Sequence, residues 1–256
     1  MMNPKKKPYY SPASSQAGFT LIESLMAILV VTIMMIAISP AIVLSVATRV
    51  QTKRLEMGTN AARAYIAAVS SGGILASNDQ TAPPPPITLA LTPNEVPVPS
   101  GGTLDCPAPP GDYLVPPGPP KFFKCDTETT DYFLYCADND DTRRCEADST
   151  KDIIVQGFGI SQDVVASLTP VQKAEKGYQL GIRVYRADAF KDSEALKKST
   201  SDPVRIKLEA KTVTSGLGDR KAPLVEMTTE IVTDKTTFSN LCKRLDDPGN
   251  TNSECR

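Results

Sequence analysis

The fold class of this chain follows from residues 18–47, which read GFTLIESLMAILVVTIMMIAISPAIVLSVA. No charged side chain occurs between residues 24 and 48. A helix of about 20 apolar residues, rising about 1.5 Å per residue, spans the roughly 30 Å hydrocarbon core of a bilayer. This stretch is long enough to cross a membrane, and it exceeds the roughly 7–15 apolar residues of an ordinary secretory signal.

The residues that precede this stretch indicate its orientation. Residues 1–18 contain Lys5, Lys6 and Lys7 and no acidic residue. Because basic flanks are retained on the cytoplasmic side, we expect the N-terminus in the cytoplasm and the rest of the chain outside it. The simplest interpretation is a single-pass anchor that carries an extracytoplasmic domain.

Two residues are unusual for a plain membrane anchor. Glu23 lies where the apolar helix has already begun, and a carboxylate within a membrane segment indicates a function because burying it is costly. Pro40 lies inside the apolar stretch, where it removes a backbone hydrogen bond and loosens the preceding turn.

The segment from Gly18 to Leu25, GFTLIESL, resembles the processing motif of type IV pilins and type II secretion pseudopilins. The resemblance implies that a membrane peptidase cuts after Gly18 and methylates the new terminal amine of Phe19. It also implies that Glu23 meets the terminal amine of a neighbouring subunit, so that each charge offsets part of the other's desolvation. Many such pilins carry a helix-loosening proline where Pro40 stands. The alternative is an unrelated signal anchor with Glu23 at the membrane interface.

Composition changes along the chain suggest five segments. Residues 49–71 favour a helix, with Ser70 to Gly73 as its end. Prolines then occupy 14 of the 38 positions from Pro83 to Pro120, which excludes a regular helix and favours a stiff, exposed insertion. The predicted segments are a leader (1–18), a transmembrane helix (19–48), an amphipathic stalk helix (49–73), a proline-rich insertion (74–120) and a disulfide-bonded β-rich head (121–256). The stalk helix carries an apolar stripe at helical spacing: Val46, Val50, Met57, Ala61, Ala64, Tyr65, Ala68 and Val69.

Alternating apolar residues in the head predict an antiparallel sheet with one buried face, resting on the stalk helix. The fold class is therefore α+β, a long N-terminal helix packed against a β-sheet head, as in type IV pilins. The strand candidates are Tyr132–Cys136, Asp152–Phe158, Tyr178–Val184, Val204–Ala210 and Leu224–Val232.

The cysteines all follow the apolar stretch, at Cys106, Cys125, Cys136, Cys145, Cys242 and Cys255. An even number on the extracytoplasmic side indicates disulfides, and a zinc site is disfavoured because no C-x-x-C pair occurs. Six cysteines allow 15 pairings, so the sequence leaves the connectivity open. Resemblance to the C-terminal disulfide loop of many pilins favours the pair Cys242 and Cys255.

Several kinds of chemistry are disfavoured by composition. The chain has no histidine, which removes Ser-His-Asp and Cys-His catalysis, and its net charge of −1 offers no attraction to nucleic acid. We therefore expect no enzyme, no cofactor and no nucleic-acid partner.

Asp138, Asp140 and Asp141 form an acidic run, but it lacks the glycine and glutamate of an EF-hand loop. A solvated loop is favoured there, with calcium as the alternative.

These features predict a structural pseudopilin subunit in the inner membrane, with its head in the periplasm. Its expected partners are prepilin peptidase, other pilins or pseudopilins, and an assembly platform with a separate cytoplasmic ATPase, since no G-x-x-x-x-G-K loop occurs.

Residues 39–51 and 61–66 resemble the pseudopilin B family of hormogonium polysaccharide secretion in filamentous cyanobacteria, which implies polysaccharide export and gliding. The alternatives are a minor type IV pilin with an adhesive or ligand-binding head, and a membrane-anchored extracytoplasmic enzyme.

Overall fold

The computed structural model describes residues 20–71, 85–88, 92–102, 104–107, 121–125, 131–161, 168–199 and 219–245. The predicted processing residues Gly18 and Phe19, the strand predicted at 204–210, and Cys255 lie outside the described residues. The chain forms two compact units, Met1–Ala47 and Thr48–Arg256.

The long helix predicted at the N-terminus is present as α1, Leu21–Ser70. It begins where the Thr20 carbonyl accepts hydrogen bonds from the backbone N–H groups of Glu23 (3.0 Å) and Ser24 (3.2 Å). The helix continues through Pro40, so the proline removes one backbone hydrogen bond without ending the helix. Within the described residues, α1 is the one helix long and apolar enough to cross a membrane.

The second unit is built around a mainly antiparallel sheet with the strand order β3-β4-β6-β7-β8. Strand β1 adds a short parallel pair to β6, and β2 pairs with β5 in a separate two-stranded sheet. The predicted α+β class is confirmed, and four of the predicted strands are present as β4, β6, β7 and β8. The strands in the described residues are β1 (Ile87–Thr88), β2 (Asp105–Pro107), β3 (Lys121–Lys124), β4 (Phe133–Asp138), β5 (Arg144–Glu146), β6 (Ile153–Ile160), β7 (Tyr178–Arg186) and β8 (Val225–Ile231).

Two short helices complete the second unit, α2 (Pro170–Glu175) and α3 (Phe238–Leu245). Helix α2 begins with a capping box, in which the Thr169 hydroxyl accepts from the backbone N–H of Gln172 and the Gln172 side chain accepts from the backbone N–H of Thr169. This reciprocal cap fixes the start of the short helix just before β7.

One face of the sheet packs on the C-terminal part of α1. Small residues and one tyrosine of the helix, among them Ala61 and Tyr65, form a core with sheet residues such as Tyr135, Val155 and Ile182. The Tyr65 and Tyr135 rings lie 4.9 Å apart between centroids. Tyr65 also lies directly over Gly157, where a Cβ would come within 2.0 Å of the tyrosine hydroxyl. The sheet and the helix approach this closely because position 157 has no side chain.

The predicted apolar stripe of the stalk helix is confirmed only in part. Ala61, Tyr65 and Ala68 are buried, and Met57, Ala64 and Val69 are partly buried against the same core. Val46 and Val50 are instead exposed, at 59% and 44%. The core formed with the sheet includes α1 only from Met57 onward. The stripe predicted from helical periodicity therefore began too early in the chain, at Val46.

The expectation of one buried sheet face is wrong. A second core covers the opposite face and contains alternate residues of the same strands, including Ile154, Phe158 and Tyr185, together with Phe190 and Leu196. Every residue of β6 is consequently buried.

Part of the proline-rich stretch builds this second core, which corrects the prediction of an exposed insertion. Val96 and Cys106 belong to this second core, Ile87 belongs to the first core, and all three are less than 9% exposed. The backbone N–H of Gly159 donates to the Pro86 carbonyl (2.7 Å), and that of Leu196 donates to the Pro99 carbonyl (3.1 Å). Prolines cannot donate to a ladder but can accept, so this stretch joins the fold mainly through its carbonyl groups.

Arg183 of β7 anchors the same stretch from inside the sheet. Its side chain is fully buried, and its guanidinium donates to the carbonyl groups of Pro93 and Val96 and to the Gln156 side chain. Its Nε atom pairs with the Glu226 carboxylate at 3.0 Å. A buried arginine is stable only when most of its donors are satisfied, and here the main chain of residues 93–97 supplies the acceptors.

The structure contains disulfides between Cys106 and Cys125 and between Cys136 and Cys145. The first joins β2 to the end of β3, and the second closes the loop between β4 and β5. Cys242 is disulfide-bonded as well, whereas its predicted partner lies outside the described residues.

Candidate functional site

The first candidate site is the start of α1, where the predicted assembly residue lies. Glu23 is in the first turn of the helix and is exposed. It is the one charged residue between Phe19 and Thr48. An acid in the first turn of a helix interacts favourably with the helix dipole, but the surrounding apolar residues provide no cation for it.

The helical surface around and beyond Glu23 is apolar on all sides. Large apolar side chains between Leu21 and Val46 are 45–85% exposed. A contiguous apolar surface of this size is not stable in water and needs lipid or other apolar helices to cover it. Two hydroxyl groups within the segment are satisfied locally: those of Ser24 and Thr32 donate to the carbonyl groups of Leu21 (2.9 Å) and Ile28 (2.7 Å). Pro40 lies on this same exposed segment.

The second candidate site is an acidic loop that follows β4, defined here as residues 138–152. Carboxylate oxygens of Asp138, Asp140 and Asp152 lie within 4.8 Å of one another. Asp141, which the sequence placed in the acidic run, is exposed and is not part of this group. It adopts a positive φ of 59°, which turns the backbone between Asp140 and β5.

Backbone and hydroxyl donors position two of these carboxylates. Asp138 accepts hydrogen bonds from the backbone N–H groups of Asp140 (3.1 Å) and Arg143 (2.9 Å). Asp140 accepts from the hydroxyl groups of Thr142 (2.8 Å) and Ser149 (3.2 Å). Each oxygen of these two side chains therefore has a donor.

Asp152 differs because one of its oxygens has no donor. Its Oδ1 atom accepts from the backbone N–H of Asn139 at 3.1 Å, whereas its buried Oδ2 atom has no hydrogen-bond partner. The pKa of Asp152 is raised to about 6, chiefly because the carboxyl is buried; hydrogen bonds from Asn139 and Ser149 oppose the shift, and the negative charges of Asp140 and Asp138 add to it. The residue is only 1% exposed.

Asp152 was missed in the sequence because it is twelve residues from Asp140. The antiparallel pairing of β4 with β6 brings it back, since Ala137 is opposite Ile153 and Asp138 therefore lies beside Asp152. The available signal was the pair of predicted strands, because the end of one strand and the start of the next lie at the same end of an antiparallel pair.

Comparison with known proteins bears on the N-terminal segment alone. Residues 13–39 match a family model described as the prokaryotic N-terminal methylation motif. No curated protein and no solved structure matches the chain significantly. The motif supports a type IV pilin-like protein that is processed by prepilin peptidase, and the exposed apolar helix fits a membrane-anchored protein of that kind.

Proposed function

We propose that this chain is a structural pseudopilin subunit, cut after Gly18, methylated at Phe19 and assembled into a pseudopilus that serves secretion. The observation that carries the proposal is the first part of α1, where an exposed apolar helix with Glu23 in its first turn follows the methylation motif. Such a helix has two suitable environments, the bilayer before assembly and a bundle of like helices after it.

In this proposal Glu23 fixes the position of each subunit. The terminal amine of Phe19 carries a positive charge, and in an apolar bundle its best partner is a carboxylate on a neighbouring helix. Removing one partner of a buried ion pair costs about 3–5 kcal/mol, because the other charge is left uncompensated. One such pair per subunit would set the axial register of the filament.

The finer parts of the proposal concern the machine that the subunit joins. A head with a proline-rich stretch and at least two disulfides is bulky, which favours a minor or short-filament position over a long homopolymer. Resemblance of residues 39–51 to cyanobacterial pseudopilins suggests polysaccharide export and gliding. The chain lacks a phosphate-binding loop, so a separate cytoplasmic ATPase and an inner-membrane platform would drive assembly.

The test is a Glu23→Ala substitution in the native cell, with Glu56→Ala as the matched control. Glu56 is an exposed acid on the same helix but within the second unit. Glu23→Ala is expected to reduce incorporation into filaments at least about tenfold, since the unpaired amine alone costs several kcal/mol. Glu56→Ala is expected to leave incorporation unchanged. The quantity measured is the filament fraction on immunoblots, with protease resistance of the head as the check on folding.

Normal filament incorporation of Glu23→Ala would contradict the assembly role. A second measurement is immunogold labelling of the protein in cells. Label on long surface filaments, rather than in the cell envelope, would contradict the pseudopilus and would indicate a minor pilin of type IV pili.

A further inference from the structure

Strand β8 lies at one end of the main sheet and, among the described residues, pairs with β7 alone. Its register runs from Val225 opposite Val184 to Ile231 opposite Tyr178. About half of the backbone N–H and C=O groups of a terminal strand point away from the sheet and can pair with a further strand. Native proteins keep open edges very short or cover them, and β8 has seven residues.

A groove runs beside the outer edge of β8. It is lined by residues 225–228 of this strand, by Leu55 of α1 and by Pro93. Helix α1 packs on one face of the sheet, and residues 93–97 bind Arg183 on the other. A groove between two such layers at a sheet edge is suited to an extended segment, which adds to the sheet through its main chain.

The two faces of β8 differ in chemistry. Val225 and Met227 pack against the core that includes α1. Glu226 lies on the opposite face, where it accepts from the Arg183 Nε atom at 3.0 Å, and Glu230 shares that face because strand side chains alternate. A segment that extends the sheet here therefore needs apolar residues toward α1 and basic residues on the other face.

We propose that residues 204–210 of this chain occupy the groove as a further strand, antiparallel to β8. The segment reads VRIKLEA, so its apolar residues alternate with charged ones. With the apolar residues toward α1, Arg205 and Lys207 lie on the face of Glu226 and Glu230. Opposite charges on neighbouring strands stabilise their pairing.

The chain leaves and re-enters the described residues where this arrangement requires. The Ser199 backbone N–H donates to the Glu226 carboxylate at 3.2 Å, so the chain leaves beside the groove. Five residues span at most about 17 Å, about five positions of a strand, so Val204 can lie opposite Thr229. The described chain resumes at Asp219, shortly before β8. Antiparallel strands can be joined by such a connection, whereas parallel strands need a crossover of a dozen or more residues.

This register has a consequence for assembly. It places Lys207 opposite Glu226 and Arg205 opposite Thr228. It also covers an edge that would otherwise be a template for pairing with another head. Contacts between subunits are then left to α1, in keeping with the function proposed above, although the strand itself does not depend on that function.

The experiment is hydrogen–deuterium exchange of the full-length chain in detergent micelles, read by mass spectrometry. About half of the amides of residues 204–210 should exchange at least about 100-fold more slowly than in the urea-unfolded chain. Ile206→Asp places a charge toward α1 and should abolish this protection. The matched control is Leu217→Asp, the same kind of change between Gly216 and Gly218 and outside the proposed strand, which should leave the protection unchanged.

A pair of introduced cysteines tests the register separately. Arg205→Cys combined with Thr228→Cys should be joined by a short bismaleimide in most chains, because opposite residues of an antiparallel pair have Cβ atoms about 4.5–5.5 Å apart. Lys211→Cys combined with Thr228→Cys should not be joined, because six strand residues separate the positions by on the order of 20 Å. Thr228 is exposed, so its substitution spares the core. Should Ile206→Asp unfold the head, this pair supplies the test.

Fast exchange throughout residues 204–210 of the wild-type chain, or equal joining of the two cysteine pairs, would overturn the proposal. Protection found only at high protein concentration, with crosslinks between chains, would overturn it as well and would show that the groove takes the strand of a second copy. The exchange uses the isolated chain, so normal incorporation of Glu23→Ala into filaments would leave this result unchanged.

Discussion

The two parts of α1 have opposite relations to their surroundings. Between Leu21 and Val46 the large apolar side chains are exposed, whereas Ala61, Ala62 and Tyr65 are completely buried against the sheet. The first part is richer in large apolar residues than the second, yet it has no core of its own. In the second part, the fully buried residues are alanines and one tyrosine, and the sheet supplies their partner surface.

The difference shows that apolar content and burial within the chain are separate properties. A helix buried by its own domain needs side chains that fit a fixed surface, and the alanines of this helix part belong to the same core as Tyr135 and Val155. A helix covered by lipid or by other subunits needs only a continuous apolar surface. Substitutions in the second part should therefore change the stability of the head, and substitutions in the first part should change assembly.

The largest effect on head stability is expected from Arg183→Met. The substitution leaves the Glu226 carboxylate, the Gln156 side chain and the carbonyl groups of residues 93–97 without their buried donor. We expect the free energy of unfolding to fall by about 3–5 kcal/mol, the usual cost of breaking a buried ion pair. Urea unfolding of the full-length chain in micelles, followed by tyrosine near-ultraviolet circular dichroism, measures it.

The control for this change is Arg220→Met. Arg220 pairs with Asp192, but both side chains are more than 40% exposed. Exposed pairs contribute about 0–1 kcal/mol, so this variant should unfold almost like the wild type. An equal loss for Arg183→Met and Arg220→Met would contradict the anchoring role of Arg183.

A smaller effect tests the comparison of the two helix parts with one substitution made in each. Ala61→Leu adds volume where the residue is fully buried, and overpacking of this kind costs about 1–3 kcal/mol. Ala41→Leu makes the same change on the exposed apolar surface and should leave the unfolding of the head unchanged. The same urea titration compares them, and a similar loss in both variants would show that the two parts of the helix do not differ as described.

The sequence predicted the fold class and four strands because alternation and helical periodicity reflect burial directly. It failed where burial came from distant residues. Proline content suggested exposure, yet Val96 is buried, and Arg183, 87 residues later, donates a hydrogen bond to its carbonyl group. Likewise, the acidic run was located around Asp140, but Asp152 joined it only through the register of β4 and β6.

The N-terminal motif was readable without any tertiary information. Peptidase recognition and membrane insertion depend on a short linear segment, and residues 13–39 match the methylation motif as a linear pattern. The apolar surface around Glu23 could likewise be read from the absence of charge between residues 24 and 48. Cleavage itself stays a prediction, since Gly18 and Phe19 lie outside the described residues.

The most direct test of the central claim is the N-terminal mass of the protein extracted from its native membrane. Cleavage after Gly18 and methylation predict a chain that begins with N-methylated Phe19 and retains the whole of α1. A chain that still begins at Met1, or one cut beyond Ala47, would contradict the pilin-like account and would indicate an ordinary membrane anchor or a secreted domain.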